Sequence, residues 1–319
     1  MKISIALCTH NGSQFLARQL ESIRTQTRVA DEIVLCDDAS ADGTLAIAER
    51  FGRECPIDFR VAKNPRRMGS TSNFEQAVAA CTGNVIVLAD QDDIWRPEKL
   101  AAIEDAFLNH PAAGFCFSNA AVVDRDLAPL GYTLWDALKF GPQEQKSFRD
   151  GRAFGALLRR HRATGATMAF RSKYRELVLP IPTGWVHDAW IALLISAVAP
   201  CELIESPLIQ YRQHESQQHG GRSRSLVSEF RAARHLTRER CNAVAERYSE
   251  AFERLRNWSG VAPEKLERLR LKIEHHRRRA EMRAAGIWRL PHVISEAVRG
   301  NYRRYGQGWK TIAQDLLLR

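Results

Sequence analysis

Three carboxylates stand within four residues at Asp90-Gln91-Asp92-Asp93, directly after the apolar run Val85-Ile86-Val87-Leu88-Ala89. Their mutual repulsion is costly unless a cation or hydrogen-bond donors compensate it. Hard oxygen ligands in such a loop suit Mg²⁺ or Mn²⁺. A divalent ion bridging two phosphates would neutralise the charge that develops on a leaving diphosphate. A solvated acidic turn, or a cap for the helix beyond Pro97, is the alternative reading. A second acidic pair, Asp37-Asp38, closes another apolar run. A carboxylate there can accept from the N3–H of a pyrimidine base or from a ribose hydroxyl, or it can form an Asx-turn into the next helix.

These residues need elements to hold them. Ile3–Cys8, Glu32–Cys36, Ile57–Ala62 and Val85–Ala89 read as buried strands. Between them lie helical patterns: Phe15, Leu16, Leu20 and Ile23, with Ser13 as cap; then Leu45, Ile47, Ala48 and Phe51; then Phe74, Ala77, Val78 and Ala80, ended by Gly83. Strand and helix alternating at this spacing predict a mainly parallel sheet flanked by helices. Ligands of such sheets bind beyond the carboxyl ends of the strands, so the polar clusters after strands one, two and four converge on one rim. Further on, the pattern predicts a helix after Pro97, strands at Gly114–Ser118, Ala121–Asp124, Thr164–Phe170 and Leu203–Arg212, a helix over His187–Ala199, and a loop within Leu130–Asp150.

The 319 residues suffice for a large domain and a smaller one. Of 47 Lys/Arg and 37 Asp/Glu, 23 and 11 fall in residues 221–319, so that segment carries +12 and the first 220 residues −2. A polar stretch over 213–225 places the boundary, giving an α/β domain at 1–220 and a basic α-helical region at 221–319. Helical patterns there start from Ser225, through Phe230, Ala233 and Leu236, and again at Pro263, with Leu266, Leu269 and Ile273 on one face. The last segment mixes Trp288, Val293, Ile294, Val298, Tyr302, Tyr305 and Trp309 with Arg289, Arg299, Arg303, Arg304 and Lys310. That mixture suits an anionic membrane interface, or a helix docked on the catalytic domain with a solvated basic face. Seven cysteines without a CxxC pair read as buried thiols in a reducing compartment rather than a zinc site. The short apolar start does not make a signal peptide and no run reaches membrane-span length, so the expected location is cytoplasmic, with peripheral contact at the inner membrane face allowed by the tail.

Taken in order, Ile5-Ala6-Leu7-Cys8-Thr9-His10-Asn11-Gly12, Cys36-Asp37-Asp38-Ala39-Ser40-Ala41-Asp42-Gly43-Thr44, Asn64 with Gly69 and Asn73-Phe74, and Ala89-Asp90-Gln91-Asp92-Asp93-Ile94-Trp95 with Pro97 and Lys99-Leu100 resemble glycosyltransferase family 2 with the GT-A fold. The Asp-Gln-Asp-Asp-Ile-Trp form is similar to its rhamnosyltransferase-like members. The resemblance covers roughly residues 2–215. It implies that Thr9 and Asn11 border the donor nucleotide, that Asp38 holds the base with Asp37 in support, and that Asn73 and Arg67 lie on the same nucleotide-sugar side. It further implies that Asp90 meets the ribose and Asp92 binds Mn²⁺ or Mg²⁺. His10 stands where the family often has Tyr. In Trp185-Val186-His187-Asp188, the carboxylate resembles the catalytic base, which would take the proton of the acceptor hydroxyl during an inverting displacement; a first-turn helix acid is the alternative. His187 is read as structural. His214, after Tyr211-Arg212-Gln213, resembles a late metal or diphosphate ligand, His219 is read as surface, and Thr164-Gly165-Ala166-Thr167 resembles the acceptor-side segment.

The expectation is therefore an inverting, metal-dependent hexosyltransferase of bacterial polysaccharide biosynthesis. It would use a dTDP- or UDP-sugar, with rhamnose among the candidate sugars, and a glycan or lipid-linked acceptor, with nucleic acid not a partner. Two alternatives are a catalytically inactive nucleotide-sugar or polyanion-binding protein on the same fold, and a sugar nucleotidylyltransferase. The latter needs a Gly-rich, Arg-containing phosphate loop after strand one, which Thr9-His10-Asn11-Gly12 does not supply.

Overall fold

A computed structural model describes residues 1–214, 237–284 and 289–317. The expected helix start at Ser225, the surface reading of His219 and the place of Trp288 in the aromatic and basic last segment fall outside these residues. The described chain divides into two compact units, one of residues 1–151 with 162–214, the other of residues 152–161 with 237–284 and 289–317. The ten residues 152–161 thus join the helical unit, although they stand well inside the first two thirds of the sequence.

The first unit is built on a mixed sheet ordered β3-β2-β1-β4-β8-β6-β9-β5, with β7 pairing β6. Its strands are β1 (Ile3–Thr9), β2 (Glu32–Asp37), β3 (Asp58–Lys63), β4 (Val85–Asp90), β5 (Ile94–Trp95), β6 (Phe115–Val123), β7 (Pro129–Thr133), β8 (Met168–Arg171) and β9 (Cys201–Arg212). The first four run parallel, β8 runs antiparallel to β4 and β6, and β9 runs parallel to β6. All of β1 and β2 is buried, as expected where helices cover both faces. Ile3, Ile5, Leu7, Ile33, Leu35, Val85 and Val87 point into one core with Leu16, Leu20 and Ile23 of helix α1 (Leu16–Arg24), Ala48 of α2 (Thr44–Glu54), and Leu100, Ile103 and Phe107 of α4 (Lys99–Asn109). Helix α3 (Ser70–Ala80) packs on β1 and β2 and against α9 (His187–Val198). Edge strand β3 is solvated and carries Asp58, Arg60 and Lys63, charges that discourage pairing with another chain.

Several local expectations change. Ser13 is not the cap of α1: Phe15 holds that position without a side-chain bond, and the Ser13 amide donates to Asp42. Helix α3 ends at Ala80, before Gly83. The two strands expected over 114–124 are one, β6, because its irregular register against β9 lets it continue through Asn119. The expected loop at 130–150 contains β7 and two helices, α5 (Leu134–Ala137) and α6 (Pro142–Arg149); Trp135, Phe148 and, between the helices, Phe140 pack against Phe117. The expected strand from Thr164 begins only at Met168, after a 3-10 turn over Gly165–Thr167.

At the far end of β2 from the rim, Glu32 is fully buried. It accepts from Ser4, from the Thr82 amide and from Thr82 Oγ1 at 2.9 Å, and pairs with Arg60 at 2.5 Å. Burial alone would push its carboxyl up; these donors outweigh it and hold it at about 2. A carboxylate depressed from its ordinary value stabilises the fold above about pH 4.5 and loses that contribution as the pH falls toward 2. Glu32→Gln is therefore expected to cost about 1–3 kcal/mol at neutral pH, with the deficit shrinking in acid. Melting curves of both proteins down to about pH 3 check this, and a gap that stays constant would contradict it.

The second unit takes α7 (Ala153–Arg159), α10 (Arg238–Arg256), α11 (Pro263–Ala284), α12 (Arg289–Val298), α13 (Asn301–Tyr305) and α14 (Trp309–Leu317). Thr237 caps α10 through its side chain, accepting from the Arg240 amide at 3.3 Å, and Pro263 begins α11 where its missing N–H costs nothing. Its interior is ionic as well as apolar. Arg279 makes two bonds to Asp315 at 2.7 and 2.9 Å, and Tyr302 donates to the same carboxylate at 3.0 Å. Glu296 receives His275, Arg278 and Asn301 at 2.5, 2.7 and 3.0 Å. Among the described residues no helix is long and apolar enough to cross a membrane. All seven cysteines are unbridged, and all but Cys55 are buried.

Candidate active site

The register of the parallel strands brings the acidic clusters to one edge. Thr9 pairs with Asp37, and Cys8 pairs with both Cys36 and Asp90. Beyond that edge lies a cavity of about 500 Å³. Thr9, Asn11, Asp38, Arg67, Asn73, Asp90, Asp92, Asp188 and His214 all border it, together with His10, His187, Gly165, Gln91 and Tyr211. Asp37 does not. It is fully buried and accepts from Thr9 Oγ1 at 2.8 Å and from the Ser40 hydroxyl and amide at 2.5 and 2.8 Å, so it braces the two loops that carry Thr9 and Ser40.

Asp38 is occupied by the loop before α3. One oxygen accepts from the Met68 amide at 2.6 Å and Asn64 Nδ2 at 3.1 Å, the other from the Gly69 amide at 2.9 Å. A carboxylate has about four lone-pair positions, so the Gly69-bound oxygen keeps acceptor capacity. Asn73 is buried; it donates to the Cys36 carbonyl at 2.7 Å and accepts from Asn64 at 3.1 Å, which ties α3 to this loop. Arg67 stands exposed on the same loop. On the neighbouring turn Asn11 adopts φ 48°, a left-handed conformation asparagine tolerates better than most. Its backbone amide donates to Ser40 Oγ and its side-chain Oδ1 accepts from the Ala41 amide, at 2.8 and 2.9 Å. The Gln91 side chain clamps the His10 backbone from both sides, at 2.8 and 3.0 Å, and His10 Nδ1 lies 2.8 Å from the Asp38 carbonyl.

Asp92 and His214, 122 residues apart in sequence, meet at 2.7 Å between Oδ2 and Nε2. His214 also leans on the Phe15 ring at 4.7 Å. The buried Arg212 steadies this corner by donating from Nε to the Asp92 carbonyl at 2.7 Å, while its amide donates to Asp93 Oδ1 at 3.1 Å. Burial and the neighbouring charges of Asp92 and Asp188 push the Asp90 carboxyl up to about 7, against a partial opposing pull from Lys99. Asp93 is raised well above the carboxylate range by burial and by Asp92 and Asp90. A cation beside Asp92 would favour the ionised form of both carboxyls, and carboxylate and imidazole are donors that Mn²⁺ accepts. Among the described residues no group of three His, Cys, Asp or Glu side chains is placed to hold a metal. A hard divalent ion held by one or two side chains completes its shell with water and substrate phosphates, so the pair Asp92 and His214 fits such a group.

Asp188 lies in the first turn of α9, where its charge suits the helix dipole. Its Oδ2 accepts the Gly165 amide at 2.9 Å. His187 beside it stacks on Phe74, with ring centroids 3.8 Å apart. Gly165 is where the two segments come closest: a Cβ there would sit 2.7 Å from His187 Nε2 and 3.4 Å from the Asp188 Cβ. Close backbone approach accounts for this glycine. Gly165→Ala is accordingly expected to displace the first turn of α9 and lower turnover about tenfold or more, since sub-ångström misplacement of a reacting group is enough for that. Donor affinity should change little. Steady-state kinetics beside donor titration check it; a variant that lost donor binding and kept turnover would contradict it.

Lys99 had no separate signal in the sequence beyond its place in the Pro97–Leu100 motif. It is fully buried, donates to the Ala166 carbonyl at 2.8 Å and lies 3.6 Å from the Trp95 ring centroid. Burial brings its ammonium down to about 7 despite the attraction of Asp93 and Asp90. It therefore links the acidic rim to the segment that holds Asp188.

The sequence model of glycosyl transferase family 2 matches residues 4–177. The chain belongs to glycosyl transferase family 2. This family 2 transferase is 25% identical over 226 residues to an uncharacterised glycosyltransferase of Nostoc sp., covering 69% of this chain and 67% of that protein. It is 31% identical over 99 residues to the putative glycosyltransferase EpsE of Bacillus subtilis (31% and 36% covered). It is 29% identical over 120 residues to the dTDP-rhamnosyl transferase RfbG of Shigella flexneri (36% and 41% covered). The transferase thus spans about two thirds of the first relative's length and well under half of the other two. Among solved structures, S. aureus TarS 1–349 in complex with UDP-GlcNAc superposes with a TM-score of 0.61 at 15% identity, covering 86% of this chain and 72% of TarS. The mannosyltransferase PcManGT of Pyrobaculum calidifontis, in complex with GDP-Man and Mn²⁺, gives 0.53 at 19% identity, covering 99% and 85%. At these identities the likeness establishes the GT-A fold.

Proposed function

We propose that this transferase moves a sugar from a dTDP- or UDP-linked donor to a hydroxyl of a glycan or lipid-linked acceptor in bacterial polysaccharide synthesis, with inversion at the anomeric carbon. The carrying observation is that Asp38, Asp92, His214 and Asp188, drawn from four separate segments, border one cavity. The likeness to a dTDP-rhamnosyl transferase makes rhamnose the first sugar to try.

In this reading the nucleotide lies along the ends of β1 and β2, with Asp38 accepting from the base, Thr9, Asn11 and Asn73 shaping the pocket, Arg67 facing the diphosphate or the base, and Asp90 meeting the ribose. Asp92 and His214 would hold Mn²⁺ or Mg²⁺, which when bound neutralises charge on the diphosphate. Asp188 takes the proton of the acceptor hydroxyl as that oxygen attacks the anomeric carbon. The bond from that carbon to the diphosphate oxygen breaks on the opposite side, and the nucleoside diphosphate leaves with the electron pair. The Gly165 amide keeps the Asp188 carboxylate oriented.

The deciding experiment is a melting-point panel of dTDP-, UDP- and GDP-sugars with and without Mn²⁺, followed by assay of donor hydrolysis. A true donor raises the melting point by mass action and releases nucleoside diphosphate. If every sugar nucleotide leaves the melting point unmoved and none is hydrolysed, the reading is wrong.

A further inference from the structure

Helix α12 is apolar on two sides. Val293 and Ala297 face inward to Met282, Tyr302, Ile312 and Leu316. Leu290, Ile294 and Val298, one helical turn apart along a second stripe, are 52%, 54% and 83% exposed, and Trp309 at the start of α14 is 73% exposed. Arg289 reaches the Leu316 carbonyl at 2.7 Å, and Ile312 and Leu316 pack on the same cluster as Val293 and Ala297, so α14 lies beside α12. The sequence had grouped Val293, Tyr302 and Tyr305 with these residues; they are buried and belong to the interior.

The charged side chains that residues 289–317 expose have one sign. Residues 289–317 contain two acids, Glu296 and Asp315. Both are buried, at 2% and 4% exposure, in the ion pairs described above. Arg299, Arg303 and Arg304 are exposed. The surface of this segment therefore offers aliphatic side chains and an indole beside cationic groups, with no exposed carboxylate among the described residues.

We infer that the stripe Leu290, Ile294, Val298, together with the exposed Trp309 and arginines of the same segment, is a docking ridge for an anionic lipid bilayer. Aliphatic side chains enter the acyl boundary, an indole sits at headgroup level, and arginine meets lipid phosphate. Each component has a partner in a membrane. A second copy of the chain fits poorly, because a ridge of four side chains cannot supply the roughly 800 Å² per partner of a stable interface, and the like charges would face one another. Nucleic acid would satisfy the arginines and leave the aliphatic stripe in water. The inference deepens the reading of a lipid-linked acceptor, yet vesicle binding needs no donor, so the two can fail separately.

The test is co-sedimentation of the full chain with phosphatidylcholine vesicles and with vesicles containing phosphatidylglycerol. Binding is expected to the anionic vesicles and to fall with salt, as a surface-charge attraction must. Leu290→Ser/Ile294→Ser/Val298→Ser is expected to weaken it at least about tenfold, given the loss of buried methylene groups. Arg303→Gln/Arg304→Gln should weaken it on anionic vesicles only. Because all five positions are exposed, both variants should keep the melting point and any donor-hydrolysis rate of the parent. The inference is overturned if the chain ignores anionic vesicles, if the triple variant binds them as well as the parent, or if the stripe drives self-association in their absence.

Discussion

Asp92→Ala is expected to lower turnover by about a thousandfold or more, the scale on which removal of a key electrostatic stabiliser acts. It should also abolish the dependence of donor binding on Mn²⁺. The substitution takes away one of the two side chains that meet at 2.7 Å and leaves His214 without its carboxylate partner. It also relieves Asp90 and Asp93, whose carboxyls are pushed up by burial first and then by the Asp92 charge. Loss of Asp92 should therefore not unfold the rim, and the apo protein should melt at or above the parent temperature. Isothermal titration with donor, with and without Mn²⁺, separates the effects. Retained Mn²⁺-dependent binding in Asp92→Ala would place the cation elsewhere.

The second large effect is expected at Asp188. Asp188→Asn keeps an oxygen to accept the Gly165 amide but cannot take a proton at neutral pH. Turnover should fall about a hundredfold or more, the usual contribution of a general base, with donor affinity unchanged. A merely structural carboxylate would give the opposite pattern, a lower melting point with turnover per folded molecule preserved. Product stereochemistry completes the check, because a base-assisted single displacement inverts the anomeric carbon, and retention would exclude this role.

The parallel half of the sheet was legible because β1, β2 and β4 are buried on both faces and so read as unbroken apolar runs, each ending in a polar cluster that topology carries to the same rim. The stretch from 129 to 159 was not. Its apolar residues Trp135, Phe148 and Phe154 fall one to each of three helices of four, eight and seven residues, too short to show a period, and Phe140 stands between the first two. One of these helices joins the second unit, a long-range choice that local pattern does not encode. At the site, no local pattern could bring Asp92 to His214 across 122 residues; only the family resemblance named both as ligands on the metal and diphosphate side. Lys99 was hidden for a different reason: a cation beside Leu100 reads as a solvated first-turn residue, whereas the fold buries it completely.

Asp38 carries a consequence for anyone reshaping this enzyme. The carboxylate proposed to greet the nucleobase is also the fastener of its own loop, through the amides of Met68 and Gly69 and the side chain of Asn64. A position with two masters is a poor dial: altering it to change nucleobase preference would unpin the neighbouring backbone at the same stroke. Arg67 and Ser70, which also border the cavity, are the places where donor choice can be varied while the frame stays whole.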